Sequence, residues 1–375
     1  MKITDIKTIR AEQYLFVQVY TDEGITGLGE SGTWAYLEAS EAVIHRFKHY
    51  LIGQNPLQIE HHWQYLYRAH HFRGSAIMGA LAAIDIALWD IAGKYHNVPS
   101  YMLLGGKCRD KVRTYFHVIG DSTEKLVEGC IRAKELGFTA VGHLTPFLDD
   151  GRDAVYNETN VQKMTRAADR VRRYREAVGD EVDICLELHR RMSPAEAIVL
   201  GQEVAPYHPY FYEDPVLPDN MDSMAWVAEH INIPIATGER LLNIQEFSML
   251  LRRNAVHFVR PCVCAAGGLS HAKKVAALAE AFNVQVVPHN PLGPVSTAVS
   301  VQLAACIPNF AIQEYSNIES SEIVKKPVEL KDGYLIVPDA PGIGVELQED
   351  LEKRHPYRMR QLKTKLNYDG SVVDR

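Results

Sequence analysis

The chain has 375 residues, of which 46% are hydrophobic and 23% are charged, as is typical of a water-soluble globular protein. Its 40 Lys and Arg residues against 47 Asp and Glu residues give a net charge of −7, and no long basic run offsets this charge, so we expect no nucleic-acid or anionic-lipid partner. This length suits a barrel of ~250 residues together with a second domain.

The first 110 residues are predicted to form a separate α+β domain, 1–110. Residues 1–13 lack the apolar core and the cleavage-site pattern of a signal peptide. The apolar stretch 79–93 carries Asp85 and Asp90 and is too short to span a membrane, so we expect a cytoplasmic protein without a membrane partner. The predicted elements are strands at 3–10, 16–21 and 26–30 and helices at 38–50, 57–71 and 75–95.

Strands and helices alternate in regular units over residues 111–332. Eight strands with seven intervening helices predict a parallel barrel whose last helix is missing, a (β/α)7β barrel. The strands are predicted at 112–118, 138–142, 182–187, 209–213, 233–237, 256–261, 284–288 and 311–314. The helices are predicted at 123–136, 159–178, 194–205, 221–230, 244–253, 268–282 and 295–306.

The C-terminal segment 333–375 opens with a predicted strand at 334–337 and continues into a stretch rich in Pro and Gly. It cannot form a ninth unit of the barrel. We therefore expect it to complete the N-terminal domain, which would then be discontinuous in the sequence.

Three glutamates recur at one fixed interval within the barrel. Glu187, Glu213 and Glu239 follow one another by 26 residues, about the length of one β/α unit, at or just after the ends of predicted strands. Side chains at matching strand ends converge on the C-terminal mouth of such a barrel, where active sites lie. Converging carboxylates repel one another unless a cation lies between them, and oxygen ligands suit Mg2+. The sequence therefore predicts a magnesium site.

The alternative is that these glutamates cap helices or lie on solvated faces, as most glutamates do. That explanation would have to apply three times at the same point of the repeat, so we favour the metal site. The same interval continues less strictly through Cys262, His289 and Glu314.

A series of short motifs runs along the chain: Leu103-Leu104-Gly105-Gly106, Glu187-Leu188-His189, Tyr212-Glu213-Asp214-Pro215, Gly238-Glu239-Arg240, Ala266-Gly267-Gly268, Pro288-His289-Asn290-Pro291 and Gln313-Glu314. Their order and spacing resemble the enolase superfamily and, within it, the mandelate racemase-like acid-sugar dehydratases. The resemblance implies a modified TIM-type (β/α)7β barrel with an α+β capping domain. It also implies Mg2+-dependent loss of water from an aldonate such as galactonate, mannonate or gluconate, through an enediolate, to give a 2-keto-3-deoxy acid.

The resemblance also assigns roles to individual residues. Two histidines without a lysine on the second barrel strand favour one-way elimination over racemisation, which needs a base on each face of the substrate. His289 is then the candidate base at C2 and His189 the candidate acid at C3, and the two roles could be exchanged. The matched positions are Glu187, Glu213 and Glu239 as metal ligands and His189, His289 and Glu314 as catalytic residues.

The chain departs from the family pattern at two positions. Glu187 stands where the first metal ligand is usually Asp, and its extra methylene displaces the carboxylate oxygens. Cys262 stands where an aspartate usually orients the histidine base, and a thiol with an ordinary pKa of ~8.5 is a weaker partner for His289. Because of these changes, a catalytically silent barrel remains an alternative, as does an epimerase, racemase or cycloisomerase acting on a related hydroxy acid.

Positions near the mouth of the barrel are also candidates for substrate contact, with an exposed loop residue as the alternative in each case. Arg260 could hold a substrate carboxylate or pair with Glu239. Members of this family commonly form symmetric assemblies, so we expect a homo-oligomer that binds a small sugar acid. The other candidates are Trp34, His71 and Arg73 in the N-terminal domain and Tyr156 after the second barrel strand.

Overall fold

The computed structural model describes residues 1–33, 36–69, 71–147, 158–316, 320–361 and 364–373. Within this part of the chain, an N-terminal antiparallel sheet with its helices precedes a parallel barrel.

The N-terminal sheet has three antiparallel strands and is covered by helices. Its elements are β1 (Ile3–Ala11), β2 (Tyr14–Thr21), β3 (Thr26–Ser31), α1 (Leu37–Leu51), α2 (Ile59–Arg68), α3 (Ser75–His96) and α4 (Ser100–Leu103). Helix α3 packs directly on β3, because a Cβ atom at Gly29 would collide with the carbonyl oxygen of Ala83. By length and composition α3 could cross a membrane, but 83% of its most apolar window is buried inside the protein, as in the core helix of a soluble protein.

Eight parallel strands form the barrel: β4 (Lys111–His117), β5 (Ala140–Leu144), β6 (Asp183–Glu187), β7 (Phe211–Glu213), β8 (Ile235–Thr237), β9 (Phe258–Val259), β10 (Gln285–Val286) and β11 (Gln313–Tyr315). Each strand from β4 to β10 pairs with the next, β11 pairs with β4, and a bridge between Val286 and Phe310 joins the two remaining edges. The barrel is therefore closed, which confirms the predicted (β/α)7β class with an α+β capping domain. Every predicted strand overlaps an observed one.

Seven helices connect these strands: α5 (Thr123–Glu135), α6 (Asn160–Val178), α7 (Pro194–Val204), α8 (Met221–His230), α9 (Ile244–Leu251), α10 (Gly268–Glu280) and α11 (Pro294–Cys306). The first five begin after a Ser, Thr or Asn whose side chain accepts a hydrogen bond from the first turn of its own helix. The last two begin after Gly267 and Gly293, which have no side chain that could do so.

Two buried carboxylates of the N-terminal domain take over this role for α10 and α11. The Glu30 carboxylate accepts hydrogen bonds from the backbone N–H groups of Gly293, at 2.7 Å, and Ser296, at 2.8 Å. Asp85 on α3 accepts one from the backbone N–H of Ser270, at 3.0 Å, and a second from its hydroxyl. Helix N-termini attract negative charge, so these contacts fix the capping domain against the two helices that follow β9 and β10.

The glycines at these contacts are needed for space. A Cβ atom at Gly293 would lie 2.7 Å from the Glu30 carboxylate oxygens, and one at Gly268 would collide with the Asp85 carboxylate. Each acid therefore contacts a glycine of the barrel, and a side chain at that glycine would displace the carboxylate.

The C-terminal segment contacts both parts of the molecule. Its elements are β12 (Leu330–Lys331), β13 (Tyr334–Ile336), α12 (Leu351–Arg354), β14 (Lys365–Leu366) and β15 (Val372–Val373). Strand β13 pairs antiparallel with β4 of the barrel, whereas His355 and Tyr357 bind Glu12 and Glu38 of the N-terminal domain. The division of the chain at residues 110 and 333 stays a prediction, because the segment is shared in this way.

We predict that the Glu30→Gln substitution changes how the free energy of unfolding depends on pH. Burial raises the pKa of Glu30 from 4.5 to about 7, against the hydrogen bonds from Ser296 and Gly293. The folded protein therefore binds a proton more tightly than the unfolded chain does, and this stabilisation is lost as the pH rises from about 4.5 to about 7. The slope is at most about 1.4 kcal/mol per pH unit.

Thermal unfolding of wild type and Glu30→Gln across this pH window measures the effect. The difference in free energy of unfolding between wild type and Glu30→Gln is expected to shrink as the pH rises. Glu128→Gln, on the exposed side of α5, is the matched control, and its stability should depend on pH in the same way as that of wild type. A constant difference between wild type and Glu30→Gln would contradict the prediction.

Candidate active site

The mouth of the barrel, formed by the C-terminal ends of β4 to β11, carries most of the predicted site residues. Glu187 and Glu213 are register partners at the ends of β6 and β7, and Glu239 follows β8. Glu314 lies on β11, and His289 follows β10. The phase of the repeat therefore brings these side chains to one end of the barrel, as expected from parallel strands.

One acidic group at the mouth consists of Glu213, Asp214 and Glu239, whose carboxylate oxygens lie within 4.8 Å of one another. Arg190 binds two of these acids, with Nη1 at 2.7 Å from both Asp214 Oδ2 and Glu239 Oε1. Although burial favours the protonated carboxyl, His289 and Arg190 hold the pKa of Glu239 well below its usual range. By contrast, burial and the neighbouring Glu239 raise the pKa of Asp214. The group thus combines ionised carboxylates with cationic partners.

Glu187 belongs to a second, histidine-rich group. Its carboxylate and the rings of His117 and His143 each offer a ligand atom, and these atoms lie within 4.8 Å of one another. Glu187 also lies 3.5 Å from His189 Nε2 and accepts a hydrogen bond from the backbone N–H of His143 at 3.1 Å. Burial opposes ionisation of Glu187, but the hydrogen bond from His189 and the neighbouring His143 hold its pKa well below the usual range.

His289 is buried and contacts the acidic group. Its Nε2 lies 3.2 Å from Glu239 Oε2, whereas its Nδ1 has no well-aligned hydrogen-bond partner among the described residues. Burial would lower the pKa of His289, but the charge of Glu239 and the adjacent Cys262 raise it well above 6.5. Cys262 is thus a neighbour of the imidazole, as predicted, and a carboxylate does act on the ring, but it is Glu239.

Arg260 lies beneath the mouth with 1% of its surface exposed. Its guanidinium pairs with Glu213 and Glu314, and Nη2 donates a hydrogen bond to the Tyr115 hydroxyl at 2.8 Å. Arg260 therefore pairs with Glu213 and Glu314 in place of Glu239, and its contact with a substrate carboxylate stays a prediction. Arg190 pairs with Glu239, and both terminal nitrogens of Arg260 contact protein groups, whereas its buried Nε has no hydrogen-bond partner among the described residues.

The remaining candidates lie in the capping domain or outside the described residues. His71 and Arg73 are exposed in the loop between α2 and α3, and the Arg73 guanidinium stacks 4.6 Å from the centre of the Tyr67 ring. Arg73 lines a cleft of about 310 Å³ together with Tyr36. Trp34 and Tyr156 lie outside the part of the chain that the structure describes.

The backbone at the mouth is unusual. His143, His189, Arg190 and Asp214 have φ angles of 55°, 52°, 63° and 42°, in the left-handed region that favours glycine. Such conformations cost of order 1–3 kcal/mol each and occur often at functional sites. They turn the chain at the ends of β5, β6 and β7, where the histidine-rich and acidic groups meet.

Sequence analysis missed His117, His143, Arg190 and Asp214 as members of the site. His117 and His143 are separated by 26 residues, the same interval as the three glutamates, and lie at the C-terminal ends of the first two barrel strands. The interval does not run on to them from Glu187, which follows His143 by 44 residues, so only their position on the predicted strands could have indicated them. Arg190 and Asp214 follow predicted site residues directly, and only the left-handed backbone turns their side chains towards the mouth.

Comparison with known proteins gives consistent matches over nearly the whole chain. Residues 2–105 match the mandelate racemase/muconate lactonizing enzyme N-terminal domain, and residues 131–351 match the enolase C-terminal domain-like family. D-Galactonate dehydratases from Pectobacterium atrosepticum and Ralstonia pickettii are 36% and 38% identical, each over 94% of this chain and 93% of the relative. An enolase from Agrobacterium radiobacter, a candidate galactarate dehydratase with bound sodium and L-malate, superimposes with a TM-score of 0.94 at 32% identity and full coverage of both chains.

We predict that Arg260→Met destabilises the protein strongly. The substitution leaves Glu213 and Glu314 buried without their shared cation, and loss of one partner from a buried ion pair costs roughly 3–5 kcal/mol. Urea unfolding of the purified variant measures the loss. Arg253→Met removes a pair with Asp222 that is largely exposed, so it should cost at most ~1 kcal/mol. Equal effects of the two substitutions would show that the buried network contributes no special stability.

Proposed function

The chain belongs to the enolase superfamily, in its mandelate racemase/muconate lactonizing enzyme branch, and we propose that this sugar-acid dehydratase removes water from D-galactonate or a closely related aldonate. It is a hydro-lyase, as its relatives are. Support for galactonate comes from the two D-galactonate dehydratases that match 94% of the chain. The cytoplasmic location and the homo-oligomer remain predictions.

The arrangement of acids and histidines carries this proposal. Glu187, Glu213 and Glu239 occupy three successive strand ends. His189 contacts Glu187 at one end of this row, and His289 contacts Glu239 at the other. A substrate carboxylate held at the acids would therefore have an imidazole on each side, which suits proton removal at one carbon and proton donation at the next.

We assign Mg2+ to Glu187, Glu213 and Glu239. Two of these residues fit the ion directly, because carboxylate oxygens of Glu213 and Glu239 lie within 4.8 Å of each other and of Asp214, and oxygen donors suit a hard cation. Glu187 is the register partner of Glu213 on the neighbouring strand. When bound, the ion supplies positive charge that makes the hydrogen α to the substrate carboxylate more acidic.

The two histidines divide the proton transfers in this proposal. His289 removes the α-hydrogen, and His189, whose side chain is 20% exposed, donates a proton to the departing C3 hydroxyl. The charge of Glu239 raises the pKa of His289, and a cation bound at Glu239 would weaken this effect, so that His289 would release its proton more readily. Cys262 and Glu239 hold the ring in place in the absence of the usual aspartate.

Incubation with a panel of aldonic and aldaric acids tests the substrate. We expect D-galactonate to give a 2-keto product that semicarbazide traps, with activity lost on chelation and restored by Mg2+. Entry of solvent deuterium at C2 without a keto product would instead indicate an epimerase. The absence of any exchange across the panel would indicate a silent member of the family.

A second prediction concerns His289→Asn. Removal of a general base lowers turnover by ~10²–10⁴-fold, and Mg2+ affinity should remain close to that of wild type because His289 is assigned as a base and not a ligand. Calorimetric Mg2+ titration and the keto-acid assay separate the two properties. His96→Asn, at the exposed end of α3, is the control. Turnover like that of wild type in His289→Asn would reassign the base, with Tyr156 the next candidate.

A further inference from the structure

We propose that the mouth contains a second metal site, rich in nitrogen, formed by His117, His143 and Glu187, and that it binds a transition-metal ion such as Zn2+. The site is distinct in chemistry from the acidic group, whose ligands are all oxygens. Its three residues lie at the C-terminal ends of three neighbouring strands, β4, β5 and β6, so the barrel itself sets their spacing.

The geometry brings the three ligands close together. One nitrogen of each imidazole and one carboxylate oxygen lie within 4.8 Å of one another, and the centres of the two rings are 4.4 Å apart. Ligands of a tetrahedral zinc ion, with bonds of ~2.0–2.2 Å, lie ~3.3 Å from one another. Rotation of side chains is therefore enough to close the site, without movement of the strands.

A carboxylate lies beside one nitrogen of His117. Nε2 of His117 is 2.8 Å from Glu314 Oε1. An imidazole that contacts a carboxylate through one nitrogen can bind an ion through the other. Glu314 is then positioned to orient the ring, as carboxylates beside metal-binding histidines commonly do.

The donor types select the ion. Imidazole nitrogens favour Zn2+ and related ions over Mg2+, which prefers oxygen. His189 is available as a fourth ligand, because its Nε2 lies 3.5 Å from Glu187 Oε2 and its ring lies 5.5 Å from that of His143. An ion held by His189 and Glu187 would occupy groups that the proposed dehydration requires. We therefore expect Zn2+ to inhibit the enzyme.

Zinc titration of the protein without added Mg2+ tests the site, because Glu187 is assigned to both ions and Mg2+ would compete for it. Calorimetry should give one Zn2+ per chain in wild type, with affinity lower by at least about 10-fold in His143→Asn and in His117→Asn. Co2+ should bind the same site with the strong visible absorption of a four-coordinate ion. His49→Asn, which removes an exposed histidine of α1, should bind as wild type does.

Two results would overturn the inference. One is equal Zn2+ affinity in wild type and His143→Asn, and the other is Zn2+ binding by wild type that is no tighter than binding by a variant lacking both histidines. Thermal unfolding of each variant shows whether it is folded, and His117→Gln provides a second substitution at the first position. The binding measurement does not depend on the identity of the sugar acid, so its failure is distinct from failure of the proposed activity.

Discussion

The attachment of the N-terminal domain depends on two barrel helices whose N-cap residues are glycines and therefore have no side chain to accept a hydrogen bond from the first turn. Helices α10 and α11 begin after glycines, and Asp85 and Glu30 supply the negative charge that their first turns need. These helices follow β9 and β10, the strands that precede Cys262 and His289. The contacts that hold the cap over the mouth therefore also hold the segments that carry the candidate base and its neighbour. Burial makes each contact costly to break, since an unpaired carboxylate would remain inside.

Charges within the mouth are arranged in compensating pairs before any ligand binds. Arg260 lies between Glu213 and Glu314, and Arg190 lies between Asp214 and Glu239. Each guanidinium can bind two carboxylates at fixed angles, so it restricts their rotamers as well as balancing their charge. Such fixed polar groups need little rearrangement when a charged substrate enters, which is how electrostatic preorganisation assists a reaction.

The architecture was predictable from the sequence because it rests on periodicity. Strands and helices repeat at nearly constant spacing, and parallel strands send equivalent positions to the same end, so Glu187, Glu213 and Glu239 could be placed at the mouth. Their partners could not be predicted. The repeat gives the position of a residue around the barrel, but the choice between neighbours, such as Glu213 rather than Glu239 for Arg260, depends on rotamers and on backbone turns. His117 and His143 could not be predicted from the glutamate interval, because they lie out of phase with Glu187.

The pairing of acid with glycine across the two domains has a consequence for how such proteins diversify. Glu30 faces Gly293 and Asp85 faces Gly268, and neither glycine can acquire a side chain while its acid stays in place. Recombination that joined the cap of one relative to the barrel of another would succeed only where acid and glycine were inherited as a pair. Exchange of the whole domain between relatives is therefore limited by these two buried contacts.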